Sequence, residues 1–152
     1  MRELNSRAQG SHFRRVLAAT LLLLASSCFI RTSIRYSPRA LDTSAEAMHV
    51  IYEILEGQHG QFAPIELEVT EEKLSILRTR SNPLLGTSGV HRTVIRYSTI
   101  GEVSLSRKNR WSAVTLAAEN GIPLLHVYTS DAESGERFMD AIETMRRLAV
   151  AP

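Results

Sequence analysis

The sequence predicts an α+β domain: an antiparallel β-sheet or partly open barrel of about six strands with a C-terminal amphipathic helix, plus one helix before the first strand. Three observations lead there. Four short strand-like stretches, 93–97, 102–105, 112–116 and 123–128, follow one another with turn residues between them. Phe138, Ile142, Met145 and Ala149 then recur at helical spacing, joined by Met139, Ala141 and Leu148. A small antiparallel sheet has one apolar face to bury, and the helix expected at 131–149 is the later element able to cover it.

The chain opens on a different kind of segment. Arg14-Arg15 precedes an uncharged apolar block, 16–25, and small residues Ala25-Ser26-Ser27 lead into Cys28, the single cysteine. A basic start, a short apolar core and a small-residue exit read as a secretory signal peptide. The uncharged run 16–30 falls short of the ~18 residues of a spanning helix. Leu24-Ala25-Ser26-Ser27-Cys28 resembles the bacterial lipoprotein signal, although Ala25 stands where that family carries a larger aliphatic residue. The resemblance implies diacylation of the Cys28 thiol, cleavage before it and N-acylation; one acyl chain holds a protein only marginally, whereas two or more anchor it stably. Phe29 stands where the resemblance would put an aspartate for inner-membrane retention, so the resemblance favours the outer membrane of the cell envelope. The alternative is an incidental cysteine near an ordinary cleavage site or inside an uncleaved anchor.

This cut changes the charge. Arg2, Arg7, Arg14 and Arg15 against Glu3 leave residues 1–27 at +3, so the remainder of a chain whose formal charge is +2 holds about −1. The basic character belongs to the leader and gives no support to a nucleic-acid partner. An acylated Cys28 also leaves no thiol for a disulfide.

Residues 28–42, with Arg31, Arg35, Arg39 and Pro38, read as an irregular tether. Its arginines suit anionic head groups at ~1 kcal/mol each, or simply solvent. A folded domain is expected over 43–150. Thr43-Ser44-Ala45-Glu46 has the form of a capping box, and Ala47, Met48, Val50, Ile51, Ile54 and Leu55 follow at helical spacing before Gly57. A helix over 44–56 results, with a strand over 49–55 as the alternative its β-branched residues allow. Ile65, Leu67 and Val69 alternate with Glu66, Glu68 and Thr70 as a half-exposed strand, and 74–79 returns as its hairpin partner. Ser81-Asn82-Pro83 and Gly86-Thr87-Ser88-Gly89 bracket what reads as the longest connection, the first place to seek a binding edge. Residues 97–101 break the next strand, with Ile100 turning back to the core. Residues 107–110 form a polar turn, and Asn120-Gly121 a tight one. Ser130 is the expected cap of the last helix, with Glu133 completing its box. Gly135 weakens the first turn of that helix.

Six strands and then a helix is the order of a pleckstrin-homology-like domain. Residues 65–148 resemble its bacterial members, through Ile100, Val103 and Leu105, then Trp111, Val114 and Leu116, then Leu125, Val127 and Tyr128, then Phe138 and Ile142. The resemblance implies a sheet with a terminal helix, and a head-group or peptide ligand.

No catalytic constellation is visible. His49, His59, His91 and His126 show no three- or four-residue pairing, no Gly-x-Ser-x-Gly elbow occurs, and no glycine-rich loop joins strand to helix. Glu71 and Glu72 are neighbours on a turn and point apart. No catalytic residue, metal ligand or cofactor is assigned. The first hairpin turn, Thr70-Glu71-Glu72-Lys73, is acidic and repels phosphates, whereas Arg107, Lys108 and Arg110 beside Trp111 form a candidate binding turn. Arg78 and Arg80 are further basic contributors. A charged hairpin tip also serves simply to discourage edge-to-edge pairing. The expectation is an envelope lipoprotein, attached to membrane at Cys28, whose non-catalytic domain binds a protein or peptide. A lipid head-group or small-ligand module is one alternative, and a cryptic hydrolase the other.

Overall fold

Residues 32–82, 87–108 and 110–150 are described by the structure, a computed structural model. In chain order they form β1 (Thr32–Ile34), α1 (Ser44–Glu56), β2 (Pro64–Val69), β3 (Lys73–Asn82), β4 (Thr87–Arg96), β5 (Ile100–Lys108), β6 (Trp111–Ala118), β7 (Pro123–Thr129) and α2 (Ala132–Val150). Two antiparallel sheets result, ordered β1-β5-β6-β7 and β2-β3-β4, and they do not close into a barrel. This is the expected α+β class, with one strand more than the pattern suggested.

Local chemistry sets the elements. Thr43 Oγ1 accepts from the Glu46 N–H at 3.1 Å and starts α1, which buries Ala47, Val50, Ile51 and Leu55. Asn120 Oδ1 accepts from the Ile122 N–H, and Gly121 takes a φ of 78°, closing the β6–β7 hairpin. Ile100 returns to the core after a short 3-10 turn, as expected. The core joins Leu74, Ile76 and Ile95 of one sheet to Leu105, Val114, Leu116 and Val127 of the other. Ile51 and Leu55 of α1 and Phe138, Ile142 and Met145 of α2 complete it.

Several expectations change. Ser81, Asn82, Thr87, Ser88 and Gly89 belong to strands, because the β3–β4 ladder runs from Lys73↔Arg96 to Asn82↔Thr87. A two-stranded ribbon needs main-chain pairing rather than a buried face, so polar residues do not end it. Pro83 and Gly86 lie outside the described residues. Ile65 is exposed because the β2–β3 register shifts between Pro64 and Glu66, which turns it off the buried face.

Asp131, not Ser130, caps α2. Its Oδ1 accepts from the Ser134 N–H at 2.7 Å, while the Ser130 hydroxyl donates to Oδ2. Leu148 is 50 % exposed, since the buried face of α2 follows Phe138, Ala141, Ile142 and Met145 and turns away from it. Gly135 does more than weaken a turn: a Cβ there would stand 2.8 Å from Leu105 Cδ1, so its absence lets helix and sheet approach closely.

The stretch read as a tether is also structured. Thr32, Ser33 and Ile34 pair with Arg107, Ser106 and Leu105 along the β5 edge. The Tyr36 hydroxyl then donates to Asp140 at 3.0 Å, the Arg39 N–H to Asp140 Oδ1 at 2.7 Å, and the Leu41 N–H to Thr144 Oγ1 at 2.8 Å. Burial and the Asp140 hydrogen bond raise the Tyr36 pKa. Residues 32–41 thus form a strap across β5 and α2.

Candidate functional site

A cleft lies where the loop after α1 meets the ends of β6 and β7 and the first turn of α2. Its volume is about 750 Å³, and Gln58, His59, Phe62, Trp111, Tyr128 and Ser134 are among its walls. Gln58 builds one side. Its buried amide donates to the Tyr128 carbonyl at 2.6 Å and to the Ile54 carbonyl at 3.2 Å, and its Oε1 accepts from the Tyr128 N–H at 3.2 Å. The side chain thereby pairs with β7 as one residue of a further strand would, fixing the loop to the sheet. Gly60, at a φ of 62°, lets the chain turn so that Phe62 meets Tyr128, their ring centroids 4.7 Å apart and tilted by 46°.

Trp111, the first residue of β6, also lines the cleft, and it is 49 % exposed. A large aromatic left half in water at a concave site is poorly placed for stability and well placed for contact with another molecule. At the helix side, the Thr129 hydroxyl donates to the Asp131 carbonyl at 2.7 Å. The Ser134 N–H and the hydroxyls of Ser130 and Ser134 hold the Asp131 carboxyl below the usual aspartate range. The first turn of α2 is therefore ordered by its own cap. The cleft offers aromatic faces with a few hydroxyl and amide groups, chemistry suited to an apolar or aromatic group in transit from water.

Trp111 lines the cleft. Arg110 is exposed in the turn just before it, and Arg107 is exposed on β5 opposite Ser112 and Thr32. Lys108 pairs with Trp111 through the main chain, but its side chain lies outside the described set. Cys28 lies outside the described residues altogether. Gln58, Phe62 and Tyr128 were not foreseen as site residues. A single glutamine after Gly57 carries no motif, and only its pairing partner 70 positions later gives it a role.

Among the described residues no group of three histidines, cysteines or carboxylates is placed to hold a metal ion. No described helix is long and apolar enough to cross a membrane. His126 lies on β7 with Nδ1 3.0 Å from Thr115 Oγ1, a cross-strand contact within the sheet. Comparison with protein-family models, with curated proteins and with solved structures finds no match to this chain.

Proposed function

We propose that this protein is an envelope lipoprotein, held to membrane by acylated Cys28, whose pleckstrin-like domain is non-catalytic and binds a protein or peptide partner. The observation that supports binding is the half-exposed Trp111, which lines an apolar cleft together with Phe62 and Tyr128. A partner's apolar side chain entering there removes Trp111 surface from water, at about 25 cal/mol per Å² of apolar area. Arg107 and Arg110 flank the site in sequence and suit an acidic flank on the partner. The β5 edge is a poorer choice, because residues 32–34 of the same chain already pair with it.

The test is site-specific photocrosslinking in cells. A crosslinker at Ser130, on the cleft, should give one discrete adduct, which Trp111→Ala abolishes while a crosslinker at exposed Leu148 gives none. An adduct that survives Trp111→Ala would place the contact elsewhere. If the Ser130 crosslinker gives no protein adduct and Arg107→Glu with Lys108→Glu abolishes vesicle binding, the head-group reading takes its place. Attachment has its own measurement: Cys28→Ser should stop fatty-acid labelling and move the protein from membrane to the soluble envelope fraction.

A further inference from the structure

β4 is an end strand. Its ladder with β3 runs without a register shift from Lys73↔Arg96 to Asn82↔Thr87, and among the described residues no strand pairs with its other side. Such an edge presents a row of outward N–H and C=O groups, which proteins commonly blunt with a proline, a bulge or a short strand. β4 has 10 residues, no proline and no bulge. Val90 and Val94 stand 65 % and 54 % exposed on one of its faces.

The charge around this edge has one sign. β3 and β4 carry Lys73, Arg78, Arg80, Arg92 and Arg96 and no carboxylate, all within a chain whose formal charge is only +2. Glu66 and Glu68 of β2 take up Arg92 at 2.8 Å and Lys73 at 3.5 Å. Arg80 is exposed and makes no ion pair with a described residue. A second copy of the chain is therefore a poor occupant. Two β4 strands side by side would set cations against cations, with no carboxylate from either.

The Arg92–Glu66 pair shows what the edge can accept. Glu66 lies opposite Leu77, and Leu77 opposite Arg92, so the two meet along one face across an intervening strand. Arg80 lies opposite Gly89, on the other face. In a strand added beyond β4, the residue opposite Gly89 would stand to Arg80 as Glu66 stands to Arg92, with only a glycine between. A Cβ built on Gly89 meets nothing within 4 Å, so that approach is open. The alternate residues of the added strand would lie beside Val90 and Val94 and cover them.

We infer that the free edge of β4 docks an extended acidic segment of a partner protein. The segment adds as an antiparallel strand, with apolar side chains on the Val90 and Val94 face and a carboxylate opposite Gly89 paired to Arg80. This contact is separate from the Trp111 cleft and holds whether or not that cleft binds. The probe is an alternating valine–glutamate peptide of the length of β4, added to the isotopically labelled full chain, with amide hydrogen exchange read residue by residue. Alternate amides between Ser88 and Val94 should slow, by about tenfold at a free peptide concentration ten times its Kd, while β6 amides do not change. Arg80→Glu should weaken the peptide by about tenfold and bind a valine–lysine peptide more tightly than wild type does. Arg80 is exposed, and if the variant still failed to fold, the alternating amide pattern of the wild type would decide alone. No binding, slowing at amides outside β4, or equal affinity for the two peptides in wild type overturns the proposal. So does concentration-dependent protection of β4 without peptide, which would give the edge to a second copy.

Discussion

At Gly101 a single added carbon has no room. A Cβ there would stand 2.4 Å from Glu119 Cα and 2.6 Å from its nitrogen, and main chain cannot swing aside as a side-chain tip can. Gly101 occupies the register shift between Ile100 and Glu102, where β5 crosses close over the end of β6. Gly101→Ala should destabilise the protein by about 1–3 kcal/mol in denaturant titration. Tyr97 presents the reverse case. Its ring is fully buried, its hydroxyl has no described partner, and burial pushes its pKa well above the ordinary 10.0. Tyr97→Phe should leave stability unchanged or raise it by about 1 kcal/mol, since the unsatisfied hydroxyl is removed with the shape kept. The pH dependence has a definite sign. Above pH 10 the unfolded chain loses the Tyr97 proton while the folded chain keeps it, so stability falls as pH rises, and Tyr97→Phe should flatten that alkaline limb. Neither residue announced itself in sequence. Gly101 needed its neighbour 18 positions later, and Tyr97 read only as a strand end.

Elements were more legible where a period ran through them. The α1 cap at Thr43, the apolar stripe of α2 and the β6–β7 turn at Asn120-Gly121 all follow from local spacing, because their partners are a few residues away. The α2 cap was misplaced by one position, since Ser130 and Asp131 both suit an N-cap and only geometry separates them. Asp131→Ala should lower the melting temperature. The folded Asp131 pKa lies below its unfolded value, so the cap contributes above the ordinary carboxylate range and its contribution is lost as pH falls through the depressed pKa. Asp131→Asn, which keeps an acceptor and cannot titrate, should flatten that acid limb. The strap at 32–41 escaped sequence reading for a different reason. A three-residue β1 with exposed Thr32 and Ser33 is too short to show alternation, and its holding group, Asp140, is about a hundred positions away. Asp140→Ala should speed hydrogen exchange at the Arg39 and Leu41 amides while leaving β6 amides protected. Unchanged exchange would mean that β1 pairing alone holds the strap.

For the whole molecule, the arrangement of two open sheets and a terminal helix follows from one requirement, that Phe138, Ile142 and Met145 be covered together with the inner faces of both sheets. The same arrangement brings the end of α1, the start of β6, the end of β7 and the start of α2 to one place, and the Trp111 cleft is what lies between them. Of that cleft, Trp111 was visible in advance as an aromatic beside a basic turn. Gln58, Phe62 and Tyr128 were not, because they become neighbours only once both sheets are built. Trp111 is the chain's single tryptophan, so its fluorescence reports the cleft without interference. The partner segment captured from Ser130 should be synthesised and titrated into the protein. Emission should shift to the blue and acrylamide quenching should fall, both saturating together, as the indole leaves water. If emission and quenching stay constant while the segment binds, the cleft is not the binding site.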